Sequence, residues 1–340
     1  MAGSVGERTA LSPTTRAALI WGGLAALVIV LFIVAVVILN ATVYSAKGFV
    51  HSYVDALNRG DTSSALALAG VQATGASGDE LLTVPEKGEL RRIQITAERE
   101  SAGGVHRVTV SFDTSSDLGD TSTPHTTTFA VRPAGKIGGL FSQWQFQTAP
   151  TASIDVTPLH DPRFTANGSD VTTLGADVAS RFTVLAPAVY SLAHDTMYLT
   201  ATPETTVADT VGGVVPATVD VQPRASFVAK VRADVDKYLR TDCLPQRVLL
   251  PSGCPFGQEV DDRLTSTPTW SMTTYPPVSL DPTDTAGVWK VVTATGEAHL
   301  RVGAESLYDG HDYTINEDVP FTVGYQVLIG SNNGLTITPQ

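Results

Sequence analysis

Phe49-Val50-His51-Ser52-Tyr53-Val54-Asp55-Ala56-Leu57-Asn58-Arg59-Gly60-Asp61 is the stretch on which the reading of this 340-residue chain turns. Phe49, Tyr53 and Leu57 recur at every fourth position, and Val50 and Val54 widen the same stripe, so the segment predicts a helix with one apolar face. Gly60 offers a left-handed position for stopping that helix, and Asp61 offers a cap for starting another over Thr62–Ala69. Everything after it in the first third of the chain reads as strands. Ile93, Ile95 and Ala97, then Val108, Val110 and Phe112, then Trp144 and Phe146 alternate with polar neighbours. Two short helices followed by antiparallel strands, each apolar on one face only, imply an α+β unit with the helices laid across a curved sheet.

Working toward the N-terminus, the chain meets AALIWGGLAALVIVLFIVAVVIL from Ala17 to Leu39, which contains no charge. A helix rising about 1.5 Å per residue over this run is long enough for a hydrocarbon core about 30 Å thick. A core helix would keep a polar face, and this run has none. A cleavable signal peptide would have a shorter apolar region ending in a small-x-small site, whereas here bulky Tyr44 occupies the −3 position of a cut after Ala46. The expectation is a signal anchor that places the lipid bilayer around Ala17 to Leu39. Arg8 and Arg16 precede the run and Lys47 follows it, so residues 1–16 are expected in the cytoplasm and the bulk of the chain outside. No cysteine stands near the end of the run to direct lipoprotein processing.

Toward the C-terminus, Pro and small residues gather at 148–152 and again at 219–223, dividing the remainder into 45–150, 153–221 and 224–340. The middle part has short Thr- and Val-rich runs separated by turn pairs, of which Asn167-Gly168 is the strongest hairpin signal, and it reads as a small all-β sandwich. The last part repeats the first in outline. Phe227, Val231, Val235 and Tyr238 form a helical stripe, then come strands around Trp270, over 289–292, over 297–302 and over 321–329. In the third of these Ala298, Leu300 and Val302 share one face, and Glu297, His299 and Arg301 share the other. Between helix and strands lie the only two cysteines, Cys243 and Cys254, flanking Pro-Ser-Gly, a spacing that suits a disulfide in an oxidising compartment.

Composition narrows the partners. With 22 Lys and Arg against 34 Asp and Glu, the chain carries a net charge of −12. Nucleic acid is disfavoured because its binding depends on neutralising phosphates. Anionic wall polymers and lipid headgroups are repelled on average, although a local patch such as Arg91-Arg92 can act against that balance. No Ser-x-x-Lys, Gly-x-Ser-x-Gly, His-Glu-x-x-His, P-loop or dinucleotide glycine fingerprint occurs, so acyl-serine transpeptidases, common hydrolases, zinc proteases and nucleotide enzymes lose support. Two sulfurs without a nearby His make a weak zinc site, and the acidic stretches near Asp113 and Asp309 lack the ligand pattern of a calcium loop.

The helix from Phe49 to Asn58, the Gly60-Asp61 junction, the Ala/Leu helix and the strand meander resemble nuclear transport factor 2-like, or cystatin-like, domains. The layout as a whole is similar to single-pass envelope proteins of actinobacteria that carry such domains, in which a Cys-Pro…Gly-Cys-Pro-Phe loop, here Cys243 to Phe256, precedes a Trp-Ser-Met-x-x-Tyr-Pro strand, here Trp270 to Pro276. The resemblance covers most of 45–340 and implies two cone-like helix-on-sheet domains flanking the β domain. Enzymes on such cones use an Asp, His or Tyr in the mouth. His51 and Asp55, one turn apart, are the only His–carboxylate pair here at helical spacing, and their offset from the apolar stripe favours a solvated helix face over a dyad. His299 reads as one half of a cross-strand charge pair and Asp309-Gly310-His311-Asp312 as a turn. The expected function is therefore a non-catalytic, membrane-anchored binding or scaffolding protein of the envelope, without cofactor or metal, that engages another envelope protein, a peptide or a wall component. The alternative is an isomerase, dehydratase or hydrolase acting on a small molecule in one cone.

Overall fold

The computed structural model describes residues 13–84, 89–114, 124–330 and 332–339. Arg8, the side chain of Arg16, and the positions Asp117 and Asp120 after Asp113 lie outside the described residues. The chain is a mixed α+β protein with one N-terminal apolar helix, α1 (Pro13–Ala41). Within α1 the 21 residues Trp21–Ala41 are long and apolar enough to cross a membrane, and none of the span is buried against protein. Contacts divide the chain into two compact units, the first made of Met1–Ser153, Thr183–Val189 and Val207–Val214 and the second of the rest.

In the first unit α2 (Ala46–Asn58) and α3 (Thr62–Ala69) form as the sequence predicts. Ser45 starts α2 by accepting the Gly48 N–H at 3.0 Å. Gly48 is needed there because a Cβ would sit 2.3 Å from the Val43 carbonyl oxygen, so the chain turns tightly out of α1 only without a side chain. Gly60 lies at φ 71°, and Asp61 caps α3 by accepting the Ser64 N–H at 3.1 Å. The strands β1 (Leu90–Ser101), β2 (Val105–Thr114), β3 (His125–Ile137) and β4 (Phe141–Phe146) follow in an antiparallel meander in sequence order. Register shifts interrupt β1 twice and β3 once, between Pro133 and Gly135.

Val50, Tyr53, Val54 and Leu57 of α2 are buried with Val108, Val110 and Phe112 of β2 and Phe129 and Val131 of β3. Phe49 of the same stripe is only half-buried. Tyr53 anchors the arrangement: its ring meets Phe129 and Phe146 edge-on at 5.8 and 5.0 Å, and its hydroxyl donates toward the carbonyls of Ala186 (2.9 Å) and Pro150 (3.2 Å).

The regular elements from 151 to 223 are all strands, joined by turns and loops: β5 (Thr151–Leu159), β6 (Arg163–Ala166), β7 (Ser169–Thr172), β8 (Ser180–Leu185), β9 (Ala188–Asp195), β10 (Leu199–Ala208), β11 (Val214–Asp220) and β12 (Gln222–Pro223). They form one sheet in the order β12-β10-β9-β6-β7 and another in the order β11-β5-β8. Asn167 and Gly168 join β6 to β7 at φ 50° and 82°, the positive values that a two-residue hairpin turn requires.

In the second unit α4 (Ala225–Tyr238) buries Phe227, Val231 and Val235. It continues into a π-helical turn over Leu239–Cys243, where the sulfurs of Cys243 and Cys254 lie 2.13 Å apart, at disulfide distance. Then come β13 (Arg263–Leu264), β14 (Thr269–Thr274), β15 (Leu280–Pro282), β16 (Val288–Glu305), β17 (Asp312–Ile329) and β18 (Leu335–Pro339). The order is β13-β16-β17-β18, with β14 and β15 also pairing with β16. Here the structure departs from the sequence reading: the runs around Trp289 and around Leu300 are one 18-residue strand, carried through a register shift between Val291 and Ala294. Ala298, Leu300 and Val302 are buried on its inner face. Asp309 accepts the His311 N–H at 3.2 Å in the turn between β16 and β17.

Candidate functional site

His51 and Asp55 share one side of α2, but the structure gives them separate surroundings. His51 is exposed, and Asp55 is half-exposed and paired with Arg59, one turn further along the helix. His299 faces Asp318 directly across β16 and β17, its Nδ1 2.8 Å from the carboxylate, while its Nε2 lies 3.3 Å from Asn316 Oδ1. The hydrogen bonds to Asp318 and then Asn316 favour the imidazolium, so the His299 pKa is raised, and the bonds from His299 and Thr273 hold the Asp318 carboxyl below its ordinary value. Both groups are open to solvent, so this is a surface pair.

A buried polar cluster in the second unit went unnoticed in the sequence. Asp161 is 1% exposed and accepts from Arg163 through its backbone N–H, Nε and Nη2 at 2.9, 2.9 and 2.6 Å. Burial pushes the Asp161 carboxyl up, but these bonds outweigh it and leave the pKa lowered. His194, 3% exposed, directs Nδ1 at the Arg163 carbonyl at 2.7 Å, which makes that nitrogen the donor. The His194 bond ties β9 to β6. Beside them lies a cavity of about 350 Å³ lined by Arg163, Asp170, His194 and Thr196.

The larger cavity belongs to the first unit. It is an open groove of about 700 Å³ between the helices and the β3–β4 edge of the sheet. Val43 and Tyr44 come from the turn after α1, Phe49 and Ser52 from α2, and Ala67 to Gly70 from the end of α3, while Arg132 and residues 142–146 line the other side. The alternation of Gln143-Trp144-Gln145-Phe146 that predicts a strand also sets Trp144 and Phe146 on one face and the glutamines, with Arg132, on the other, and both sets line the groove because it runs around the free edge of the sheet at β4. In the amide orientation that satisfies both groups, the Gln145 oxygen faces Arg132 and accepts from its Nε at 2.8 Å and its Nη2 at 3.0 Å.

A chain of contacts fixes this wall to the helices. Trp144 donates its indole N–H to the Tyr44 carbonyl at 2.8 Å, and its ring meets His106 edge-on at 4.8 Å. His106 Nδ1 lies 2.7 Å from Glu98, which also pairs with Lys47 at 3.3 Å. Among the described residues that line the groove there is no His, Cys, Asp or Glu, and Arg132 is the one cation. Such a surface combines apolar rings, amides and a guanidinium, which suits holding a chain with aliphatic and polar parts. Nor do three or more His, Cys, Asp or Glu side chains gather as a metal would need, among the described residues.

No protein-family model matches the chain, and no curated protein or solved structure matches it either. The site is therefore read from its geometry.

Proposed function

We propose that this protein is a membrane-anchored binding module of the bacterial cell envelope, held by α1 with its N-terminus in the cytoplasm and its remaining residues outside. The reading takes the first unit as a nuclear transport factor 2-like cone and the groove between its helices and β4 as the binding site, for an extended peptide segment of another envelope protein. One observation carries it above the enzymatic alternative: the groove is walled by Tyr44, Phe49, Trp144 and Phe146 with Arg132 and two glutamines, a lining that supplies hydrogen bonds and apolar contact and, among the described residues, no group to take or give a proton near neutrality. His51 and Asp55 are then ordinary surface residues. The cysteine pair, at disulfide distance, fits an oxidising location outside the membrane.

The test is complementation of a deletion strain. The double variant His51→Ala, Asp55→Ala is expected to restore the phenotype with a stability change within about ±0.5 kcal/mol, as surface replacements do. Ala67→Glu with Arg132→Glu, which crowds the groove at an exposed lining position and turns its positive charge negative, is expected to fail at normal abundance. The opposite pattern refutes the binding reading.

A further inference from the structure

The turn between β3 and β4, Lys136-Ile137-Gly138-Gly139-Leu140-Phe141, is apolar at its tip and exposed. Ile137 is 52% exposed and Leu140 44%, and Gly138 and Gly139 take φ of 58° and 75°, closing the turn with the Leu140 N–H donating to the Ile137 carbonyl at 3.2 Å. Water-facing hairpin turns of this kind are ordinarily polar, so two aliphatic side chains at the tip call for a cover.

Asn40 shows what provides it. This residue sits in the last turn of α1, at the end of the apolar span Trp21–Ala41. Its side-chain Nδ2 donates to the Leu140 carbonyl at 2.9 Å and to the Val36 carbonyl at 3.0 Å, and its Oδ1 accepts the Ser142 N–H at 2.8 Å. An amide at the end of a membrane span costs free energy unless its polar atoms are bonded, and here both are. Tyr44 stacks on Phe141 at 4.6 Å beside this clasp. The clasp ties the hairpin to one level of the helix. A span of 21 residues at about 1.5 Å each covers about 31 Å, roughly the thickness of the hydrocarbon core, so that level is the boundary of the core.

We propose that the Ile137–Leu140 tip inserts into the interfacial layer of the bilayer that α1 crosses, about 5–10 Å into the headgroup and acyl boundary, as a second membrane contact. The inference rests on the reading of α1 as a membrane span. Ile137 and Leu140 meet the upper acyl chains, and the exposed Lys136 reaches lipid phosphates. Because Tyr44, Ile137 and Ser142 also line the groove, the contact holds the groove's edge against the membrane surface.

The experiment places an environment-sensitive fluorophore on single cysteines of the full chain at Val30, Ile137 or Thr126; the last is an exposed position eleven residues back along β3, about 35 Å away in a strand. Cys243 and Cys254 react only if their sulfurs are not joined, so the unsubstituted chain serves as the blank. The proteins are reconstituted in vesicles of phosphatidylcholine with a minor share of phosphatidylglycerol, with and without lipids brominated high on the acyl chain. The label at Ile137 is expected to emit to the blue of the label at Thr126 and to be quenched by bromine, as the label at Val30 is. Asn40→Leu, which opens the clasp, should lower the quenching at Ile137 and leave it unchanged at Val30. An Ile137 label that behaves like the one at Thr126 while Val30 is quenched overturns the inference alone. An unquenched Val30 overturns the membrane span, and the inference with it.

Discussion

Removing the cross-link between Cys243 and Cys254 by Cys254→Ala is expected to destabilise the second unit and spare the first. The two positions are 11 apart in sequence, and closing a loop of this size removes roughly 9.5 cal/mol/K from the unfolded chain, or about 2.8 kcal/mol at 25 °C, in the chain-entropy model. Cys243 is fully buried, and its freed thiol packs as a small apolar group, so truncation at the half-buried Cys254 adds little to that figure. The native loop does not depend on the sulfurs alone. Tyr238 donates its hydroxyl to the Gly253 carbonyl at 2.5 Å, and the Gln246 amide bridges to Ser252 in both directions, at 3.1 and 2.8 Å. The loss therefore falls mainly on the unfolded state, and the folded geometry is kept.

For a unit of this size the change corresponds to a melting point lower by about 6–11 °C. Hydrogen exchange on the full chain in detergent separates the two units: peptides from α4 and β16 should lose protection in the variant, and peptides from α2 and β2 should not. Equal losses in both units, or no loss in α4 and β16, refutes the reasoning. So does peptide mapping of the unreduced protein that finds two free thiols.

Tyr53→Phe removes a buried hydroxyl bonded to the Ala186 and Pro150 carbonyls and should cost about 1–3 kcal/mol in urea unfolding of the first unit, with the slope unchanged. The His299–Asp318 pair links stability to pH in two directions. The raised His299 contributes fully below its unfolded value of about 6.5 and loses its share as pH rises through the folded value, while the lowered Asp318 contributes above the unfolded carboxylate value and loses its share as pH falls through the folded one. Melting of the second unit should accordingly fall as pH is raised past neutrality, and His299→Gln should flatten that slope; an unchanged slope counts against the pairing. Protease added to intact spheroplasts should digest the chain beyond Lys47 and leave the N-terminal tail, and protection of the large part reverses the proposed orientation.

Much of the local structure was legible because it depends on neighbours within a few residues. The stripe of Val50, Tyr53, Val54 and Leu57, the restart at Gly60-Asp61, the Asn167-Gly168 turn and the uncharged run after Ala17 all follow from periodicity or a φ requirement. The length of β16 did not, because Thr293 to Gly296 look like a break in the pattern, and the strand is carried past it by pairs of Ala294, Thr295 and Gly296 with Val323, Thr322 and Phe321 further along the chain. The groove was hidden for the same reason. Arg132 and Trp144 are brought beside the turn after α1 by the pairing of β3 with β4, the Asn40 bonds and the bond from Trp144 to the Tyr44 carbonyl, about a hundred residues back.

Asn40 is the most instructive case. In the sequence it is the first polar residue after the apolar run and marks only where that run stops. In the structure both ends of its amide are bonded to the β3–β4 turn, one hundred or more residues away. Hydropathy measures a residue's cost in lipid as though it stood alone, so an amide whose partners arrive from a distant hairpin reads as a boundary when it is in fact a joint. The same logic applies to the tip it holds. Ile137 and Leu140 would count against a hairpin facing water, and they become favourable once the clasp brings them to the level where the apolar span ends.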